Sequence, residues 1–198
     1  MSEIIDEIVK TGLAPVLKAE GYRKTARTFR MAGSDFTKIV NVQASSWNSI
    51  EDGKLTINLG VFFPAVAVLH DQVTFRHPPR ECDCLVQERI GFLMPEARDF
   101  WWEVRQDSNL PAIAEETVKA WREFGKPWLE EHTDLRHAQS FVLQRLRLPF
   151  IAAMFGLARG DRVQAGRLIR QAVAECPEGK DRLLLWAAKH RLNIPSAV

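Results

Sequence analysis

The sequence predicts an α+β fold: an N-terminal helix, an antiparallel sheet of about five strands, and C-terminal helices packed on one face of the sheet. Three patterns indicate this order. Apolar residues recur every three or four positions before residue 20, alternate with polar residues between 36 and 63, and return to the helical period after about residue 110. Strands grouped before helices, rather than alternating with them, are typical of α+β proteins.

The first element is an amphipathic helix. Its apolar residues are Ile4, Ile5, Ile8, Val9, Leu13, Val16 and Leu17. Pro15 is expected to kink this helix, because a proline ring clashes with the carbonyl four residues back. Gly21 is expected to end it, since a left-handed C-terminal cap costs glycine nothing.

Five strands are predicted after this helix. They are 22–31, 36–47, 54–63, 84–93 and 99–105. The first three are rich in Val, Ile, Thr and Phe, and turn-forming residues separate them. Residues 64–82 show no pattern that assigns them a role.

The second and third strands predict their own pairing register. With Val42 opposite Ile57, the apolar residues of both strands meet on one face of the sheet. The reverse face then pairs Asn41 with Asn58 and Gln43 with Thr56. A shift by one residue would place apolar against polar side chains, so the alternation specifies this register.

The remainder of the chain has the helical period, with breaks near Gly125, Pro149, Gly160 and Pro177. A chain of 198 residues buries about 70% of the surface that its unfolded form exposes, so it needs no disulfide or metal to fold. This length allows one domain or two small ones, and with helices covering one face of a single sheet we expect a single domain over 1–198. Within this domain, residues 1–131 are expected to form the N-terminal helix, the antiparallel sheet and the first covering helices. Residues 132–198 are expected to form a C-terminal helical hairpin extension.

The composition favours a soluble protein of the reducing cytoplasm. The N-terminus begins with acidic residues, and no apolar run approaches the ~20 residues that span a bilayer. Three cysteines form no disulfide framework. The 27 basic and 25 acidic residues nearly cancel, whereas proteins that wrap nucleic acid carry a larger basic excess.

No motif in the sequence predicts catalysis, a metal or a cofactor. Cys82 and Cys84, with His77 nearby, are separated by one residue, whereas structural zinc sites use cysteine pairs separated by two to four. His132 and His137 follow an acidic helix end and would diverge on a helix, so neither orients the other. Nucleophile elbows and Gly-rich phosphate loops are absent. We therefore expect no catalytic residue, metal ligand or cofactor.

The candidate binding residues lie on the polar face of the predicted sheet. They are Arg27, Arg30, Asn41, Gln43, Thr56 and Asn58, with Trp47 in the turn after the second strand. Asn and Gln are poor strand formers, so strand propensity does not explain their presence in this row. We expect this row to be accessible or to line a polar cleft, because buried unpaired amides cost about 1–3 kcal/mol each. A solvated sheet face with cross-strand polar pairs, and Trp47 packed in the core, are the structural alternatives.

Several short segments, taken in order, carry a family resemblance. They are 17–24, 28–30, 40–45, 57–61, Cys84 with 89–93, Trp101-Trp102 and 125–129. Together they resemble an uncharacterised bacterial family, the domain-of-unknown-function family 4304, over residues 4–131. The resemblance implies a mixed fold with a central antiparallel sheet and implies no reaction. By analogy it also suggests an immunity-type partner in a bacterial toxin system.

The C-terminal region carries a second resemblance. Residues 146–179 place Gly160-Asp161 at a turn, and they place Ala165, Ile169, Ala172 and Pro177 at the spacings of a tetratricopeptide repeat. No second copy is found, whereas stacked repeats need at least about three units. The resemblance therefore implies a helical hairpin and no binding groove.

These observations favour a non-catalytic module that binds a protein or peptide partner. Two alternatives stay open. One is an enzyme of unrecognised type that uses a polar cleft on the sheet face. The other, with less support, is a single-stranded nucleic-acid binder that uses the basic first strand and sheet aromatics.

Overall fold

The computed structural model describes residues 2–46, 52–70, 75 and 77–194. Two compact units divide the chain. Met1–Phe62 with Phe75–Glu131 form the first, and Phe63–Thr74 with His132–Val198 form the second. The first contains the sheet, and the described part of the second is helical. That the whole chain folds as a single domain stays a prediction.

The elements follow the predicted order of helix, sheet and helices, which confirms the α+β class. In chain order they are α1 (Ser2–Thr11), α2 (Leu13–Ala19), β1 (Arg23–Thr25), β2 (Thr28–Ala32), β3 (Thr37–Ala44), β4 (Asp52–Phe62), α3 (Pro64–Ala67), β5 (Val86–Arg89), β6 (Trp102–Arg105), α4 (Leu110–Ala120), α5 (Lys126–Glu131), α6 (Leu135–Gln144), α7 (Pro149–Ala158), α8 (Arg162–Glu175) and α9 (Lys180–Lys189). Short 3-10 turns lie at Glu81–Asp83, Ile90–Phe92 and Pro177–Gly179.

The first unit is built on an antiparallel sheet that has six strands within the described residues. β1, β2, β3 and β4 are neighbours in that order, and β5 and β6 pair with successive parts of the other edge of β4. Val42 lies opposite Ile57, and Asn41 lies opposite Asn58. The predicted register is therefore confirmed.

Two predicted strands differ from the structure. Residues 22–31 form a hairpin rather than one strand, because Ala26 at the turn takes a left-handed conformation with φ of 51°. No glycine or proline marks this turn, so periodicity alone misses it. The strand predicted at 84–93 ends at Arg89, where the backbone enters the 3-10 turn Ile90–Phe92.

The N-terminal helix breaks at Gly12 rather than kinking at Pro15. Pro15 follows Thr11 by four residues, and its ring would clash with the Thr11 carbonyl if α1 continued unbroken into α2. Gly12 also permits a close approach, since a Cβ there would lie 2.9 Å from the carbonyl oxygen of Ala114 on α4. Gly21 caps α2 in the left-handed region as predicted, at φ of 93°.

Helices pack against the sheet of the first unit. α1 contacts β3, and α5 contacts β4. The apolar-face residues Val40, Val42, Ile57 and Leu59 are at most 2% exposed. Each such buried side chain contributes about 1.5–3 kcal/mol relative to an exposed one. α4 and α5 are joined by the π-helical turn Trp121–Gly125, so the helix break predicted near Gly125 is absent.

The polar face of the sheet is overlaid by two irregular segments instead of helices. Cys84, from the first segment, lies over Gly60, where an added Cβ would meet the Cys84 Sγ at 2.7 Å. Phe100, from the second segment, accepts a hydrogen bond at its carbonyl from the hydroxyl of Thr56. Beside the first segment, at Arg30, Asn41 and Gln43, part of the polar face stays open.

The second unit is helical within the described residues. α7 contacts both α6 and α8, and α9 packs on α8. Pro149 opens α7, Gly160 follows it at φ of 82°, and Asp161 caps α8 by accepting a hydrogen bond from the backbone N–H of Gln164. The predicted breaks near Pro149, Gly160 and Pro177 are thus confirmed, whereas the likeness to a tetratricopeptide repeat stays a prediction. Across the described chain, no helix combines the length and apolarity needed to cross a bilayer.

Candidate functional site

An open groove of about 970 Å3 lies beside the turn of the β1–β2 hairpin, and we call it the hairpin groove. Its lining comes from α1, the hairpin, the second half of β3 and the segment that overlays the polar face. The lining residues are Asp6, Lys10, Lys24, Thr25, Ala26, Arg27, Thr28, Arg30, Asn41, Val42, Gln43, Arg80, Glu81 and Cys82. Four of the seven predicted binding residues are among them: Arg27, Arg30, Asn41 and Gln43.

The hairpin groove is strongly basic. Five basic and two acidic side chains line it, an excess of three positive charges, whereas the formal net charge of the entire chain is +2. The basic and acidic residues of the whole sequence nearly cancel, but positive charge is concentrated in the hairpin groove. Such a concentration in a concave surface raises the local density of anionic groups and their rate of association.

Arg27 is held by an ion pair with α1. Its Nε lies 2.6 Å from Asp6 Oδ1, and its Nη2 lies 3.0 Å from Asp6 Oδ2, a bidentate arrangement. The hydrogen bond from Arg27 lowers the pKa of Asp6, and the charge of Lys24 adds to this effect. Arg27 thus ties the hairpin turn to α1, and its charge is largely balanced.

Arg30 is a half-buried cation of the hairpin groove. Its Nε donates to the carbonyl oxygen of Pro79 at 2.6 Å, which fixes the plane of the guanidinium. Within the described residues, Arg30 forms no ion pair with a carboxylate. Its charge can therefore be matched by an anion that enters the groove, in a setting where partial burial strengthens the attraction.

The amides next to Arg30 are oriented by a hydrogen-bonded network. Asn41 Nδ2 donates to the hydroxyl of Thr28 at 2.9 Å, and Asn58 Nδ2 donates to Gln43 Oε1 at 2.8 Å. Arg89 extends this network, because its Nε donates to Asn58 Oδ1 at 3.1 Å. The polar side chains of Thr28, Asn41, Gln43 and Asn58 are therefore held in place by hydrogen bonds, and we call them, with Arg89, the polar floor of the groove.

Arg89 contacts four residues of the polar face and connects the polar floor to the segment that contains Asp99 and Trp101. Its Nη1 lies 2.6 Å from Asp99 Oδ1, its Nη2 lies 3.4 Å from Gln43 Oε1, and its guanidinium carbon lies 5.0 Å from the ring centroid of Trp101. The hydrogen bond from Arg89 lowers the pKa of Asp99. Arg89 thus connects β3, β4 and β5 on the polar face.

Two of the predicted binding residues that the structure describes do not line the groove. Thr56 is fully buried and donates to the Phe100 carbonyl, so its side chain supports the sheet. Asn58 is half-buried inside the Arg89 network. Trp47 lies outside the described residues.

Sequence reasoning missed Arg80, Glu81 and Arg89. Arg80 and Glu81 belong to the segment that has no periodic pattern, so no sequence signal places them beside Arg30. Arg89 lies opposite Asn58, and this pairing follows only once β5 is known to pair with β4. In the sequence, Arg89 is marked only by belonging to segment 89–93, one of the segments that carry the family resemblance.

The cysteines and histidines considered as possible metal ligands or catalytic groups are either far apart or engaged in packing and helix capping. Cys84 is buried, and burial raises the pKa of its thiol, whereas Cys82 is exposed. His132 is buried against the ring of Phe141, at 5.1 Å between centroids. Asp134 caps α6 and accepts the backbone N–H of His137. In the portion of the chain that the structure describes, no three His, Cys, Asp or Glu side chains come together as a metal site would require.

Comparison with known proteins assigns a family without an activity. A family model described as "Domain of unknown function (DUF4304)" matches residues 13–131. No curated protein and no solved structure matches the chain. The matched segment covers more than half of the chain and includes the whole sheet.

Proposed function

The chain belongs to the DUF4304 family, for which no activity is described, and we propose that it is a non-catalytic module that binds a protein or peptide partner in the hairpin groove. The observation that carries this proposal is Arg30. It is a half-buried cation without a carboxylate partner among the described residues, and it is anchored at the edge of an open, structured polar surface. An unmatched cation held in a fixed orientation is costly for folding alone, and a binding partner that supplies the counter-charge offsets this cost.

The lining of the groove supports binding more than catalysis. An Asp or Glu that works as a general base near neutral pH has its carboxyl pKa raised by burial or by a neighbouring negative charge. Asp6 shows the opposite, because Arg27 lowers its pKa. An enzyme of unrecognised type that uses this cleft stays an alternative without an observation in its favour.

The lining also supports a protein partner more than a nucleic acid. Single-stranded nucleic acids are bound by basic grooves in which aromatic side chains stack on the bases. None of the described residues that line the hairpin groove is aromatic. The immunity-type role suggested by the family resemblance would be one instance of such a protein partner.

The proposal is tested by affinity capture from the native cell, with the captured material identified by mass spectrometry. Three baits are compared: wild type, the double variant Arg30→Gln with Asn41→Thr, and Arg122→Gln as a control that removes one charge from an exposed position in the π-helical turn Trp121–Gly125. We expect wild type and Arg122→Gln to capture the same protein and the double variant to lose it, while cooperative thermal melting shows that every bait is folded.

Capture that survives in the folded double variant would place the binding surface elsewhere and refute the proposal. A captured RNA would favour the nucleic-acid alternative. Release of a captured small metabolite that the protein converts to a product would favour the enzyme alternative.

A further inference from the structure

We propose, on the basis of the proposed binding function, that the hairpin groove recognises an acidic segment of a partner protein in extended conformation. The carboxylates of this segment would pair with Arg30, Arg80 and Lys24, and its backbone would lie beside the end of β3. Three observations lead to this inference: the balance of charges within the groove, the unequal lengths of β2 and β3, and the composition of the lining.

The first observation concerns which positive charges are already matched. Arg27 is paired with Asp6, and Lys10 lies 3.1 Å from Glu7. Of the five basic residues in the groove, Lys24, Arg30 and Arg80 are left without such a close partner among the described residues. Arg80 lies 3.8 Å from Glu81, at the outer limit of an ion pair, and about half of its side chain is exposed. These three cations define the carboxylate-binding positions.

The second observation concerns the edge of β3. β3 continues to Ala44, whereas β2 begins at Thr28, which lies opposite Asn41. The last bond between β3 and the hairpin runs from the Val42 N–H to the Arg27 carbonyl. Beyond it, within the described residues, no strand borders β3 on this side.

The hydrogen-bonding pattern of β3 makes this edge suitable for strand addition. Backbone groups of successive residues in an antiparallel strand point to alternate sides. Because the Ser45 N–H donates to Lys54 on β4, the Ala44 N–H points to the opposite side of β3, the side on which the Val42 N–H bonds to the hairpin. An extended peptide placed there would continue the line of β2, and main-chain bonding of this kind is a recurring mode of peptide recognition.

The third observation concerns what else the groove offers a ligand. It combines basic side chains with amide groups and lacks aromatic rings in its described lining. Extended peptides use hydrogen-bonding groups of this kind for the backbone and use charged positions for alternate side chains. A polar strand whose acidic residues recur at every second position satisfies both requirements.

The probe for this inference is a fluorescein-labelled peptide of about ten residues in which Glu and Thr alternate. Its matched controls replace every Glu by Gln or by Lys. Oligothymidylate of similar length and inorganic phosphate, the latter as a competitor, represent other anions. Binding is measured by fluorescence anisotropy at physiological and at raised salt.

We expect wild type to bind the acidic peptide about tenfold or more tightly than the Gln peptide, with an affinity that falls as salt is raised. Arg30→Gln with Arg80→Gln should lose most of this preference. The control Arg122→Gln with Arg167→Gln also removes two positive charges, but from exposed helical positions outside the groove. It should leave the affinity for the acidic peptide within about twofold of wild type. If the first double variant does not fold, Lys24→Gln with Arg80→Gln, which changes two exposed residues, replaces it.

Equal binding of the acidic and Gln peptides would overturn the inference, and so would equal losses in the two double variants. Oligothymidylate that binds as tightly as the acidic peptide, or phosphate that displaces it, would show a site for anions in general and would also overturn it. The proposed function has a separate outcome. Should native capture depend on Arg30 while the acidic peptide fails to bind, the binding module stands and its partner is not acidic.

Discussion

Replacing Arg89 by methionine should destabilise the first unit by about 2–3 kcal/mol. The substitution retains an apolar side chain of similar length beside Trp101 and removes the charge and all N–H donors. Arg89 donates to Asn58, Gln43 and Asp99, so three acceptors on the polar face lose a donor at once.

The magnitude follows from the exposure of each acceptor. The half-buried Asn58 oxygen loses its donor at a cost of about 1 kcal/mol, and Gln43 loses less because it still accepts from Asn58. Asp99 is about half exposed, so its ion pair contributes only about 0–1 kcal/mol. The contact with Trp101 adds about 0.5–1 kcal/mol, part of which methionine preserves.

The pH dependence of this effect has a defined sign. Because Arg89 holds the pKa of Asp99 below its ordinary value, the pair stabilises the fold at any pH above the ordinary carboxyl pKa. That contribution is lost as the pH falls through the lowered pKa and Asp99 takes up a proton. The difference in free energy of unfolding between wild type and Arg89→Met should therefore shrink in acid.

Urea unfolding, followed by far-ultraviolet circular dichroism, measures the predicted loss. Arg98→Met is the control, since it makes the same change at an exposed residue of the neighbouring segment and should shift the free energy of unfolding by no more than about 0.5 kcal/mol. Equal effects of the two substitutions, with unchanged m-values, would refute the role given to Arg89 in the polar floor.

Two further predictions concern the sheet and the absence of a metal requirement. Ile57→Ala, on the apolar face, should cost about 2–5 kcal/mol by opening a cavity, whereas Asn41→Thr, which removes one hydrogen bond at the groove, should cost about 1 kcal/mol or less. Urea titrations that give equal costs would contradict the difference between the two faces. Thermal melting in excess chelator should leave the midpoint unchanged, because the described residues assemble no metal-binding cluster. A fall of several degrees would reveal a structural metal.

The candidate site was only partly accessible to sequence reasoning. The basic first strand points to Arg30, and the poor strand propensity of the amides points to Asn41; the structure places both at the groove. Thr56 occupies the same row, but the segment around Phe100 covers it, and nothing in its own strand indicates that cover. Arg80 comes from a region without periodicity, so its place beside Arg30 could not be inferred.

The sequence by itself determined the class of the fold, the register of β3 with β4 and the helix ends near Gly21, Pro149, Gly160 and Pro177. Each of these depends on local physics: alternation selects one pairing, and proline or glycine limits the backbone near its own position. Only the tertiary structure decided the polar site. The bond from Arg30 to Pro79 spans 49 positions and that from Arg89 to Asn58 spans 31. Such contacts depend on how distant segments are brought together by packing, which the periodicity of either segment does not encode.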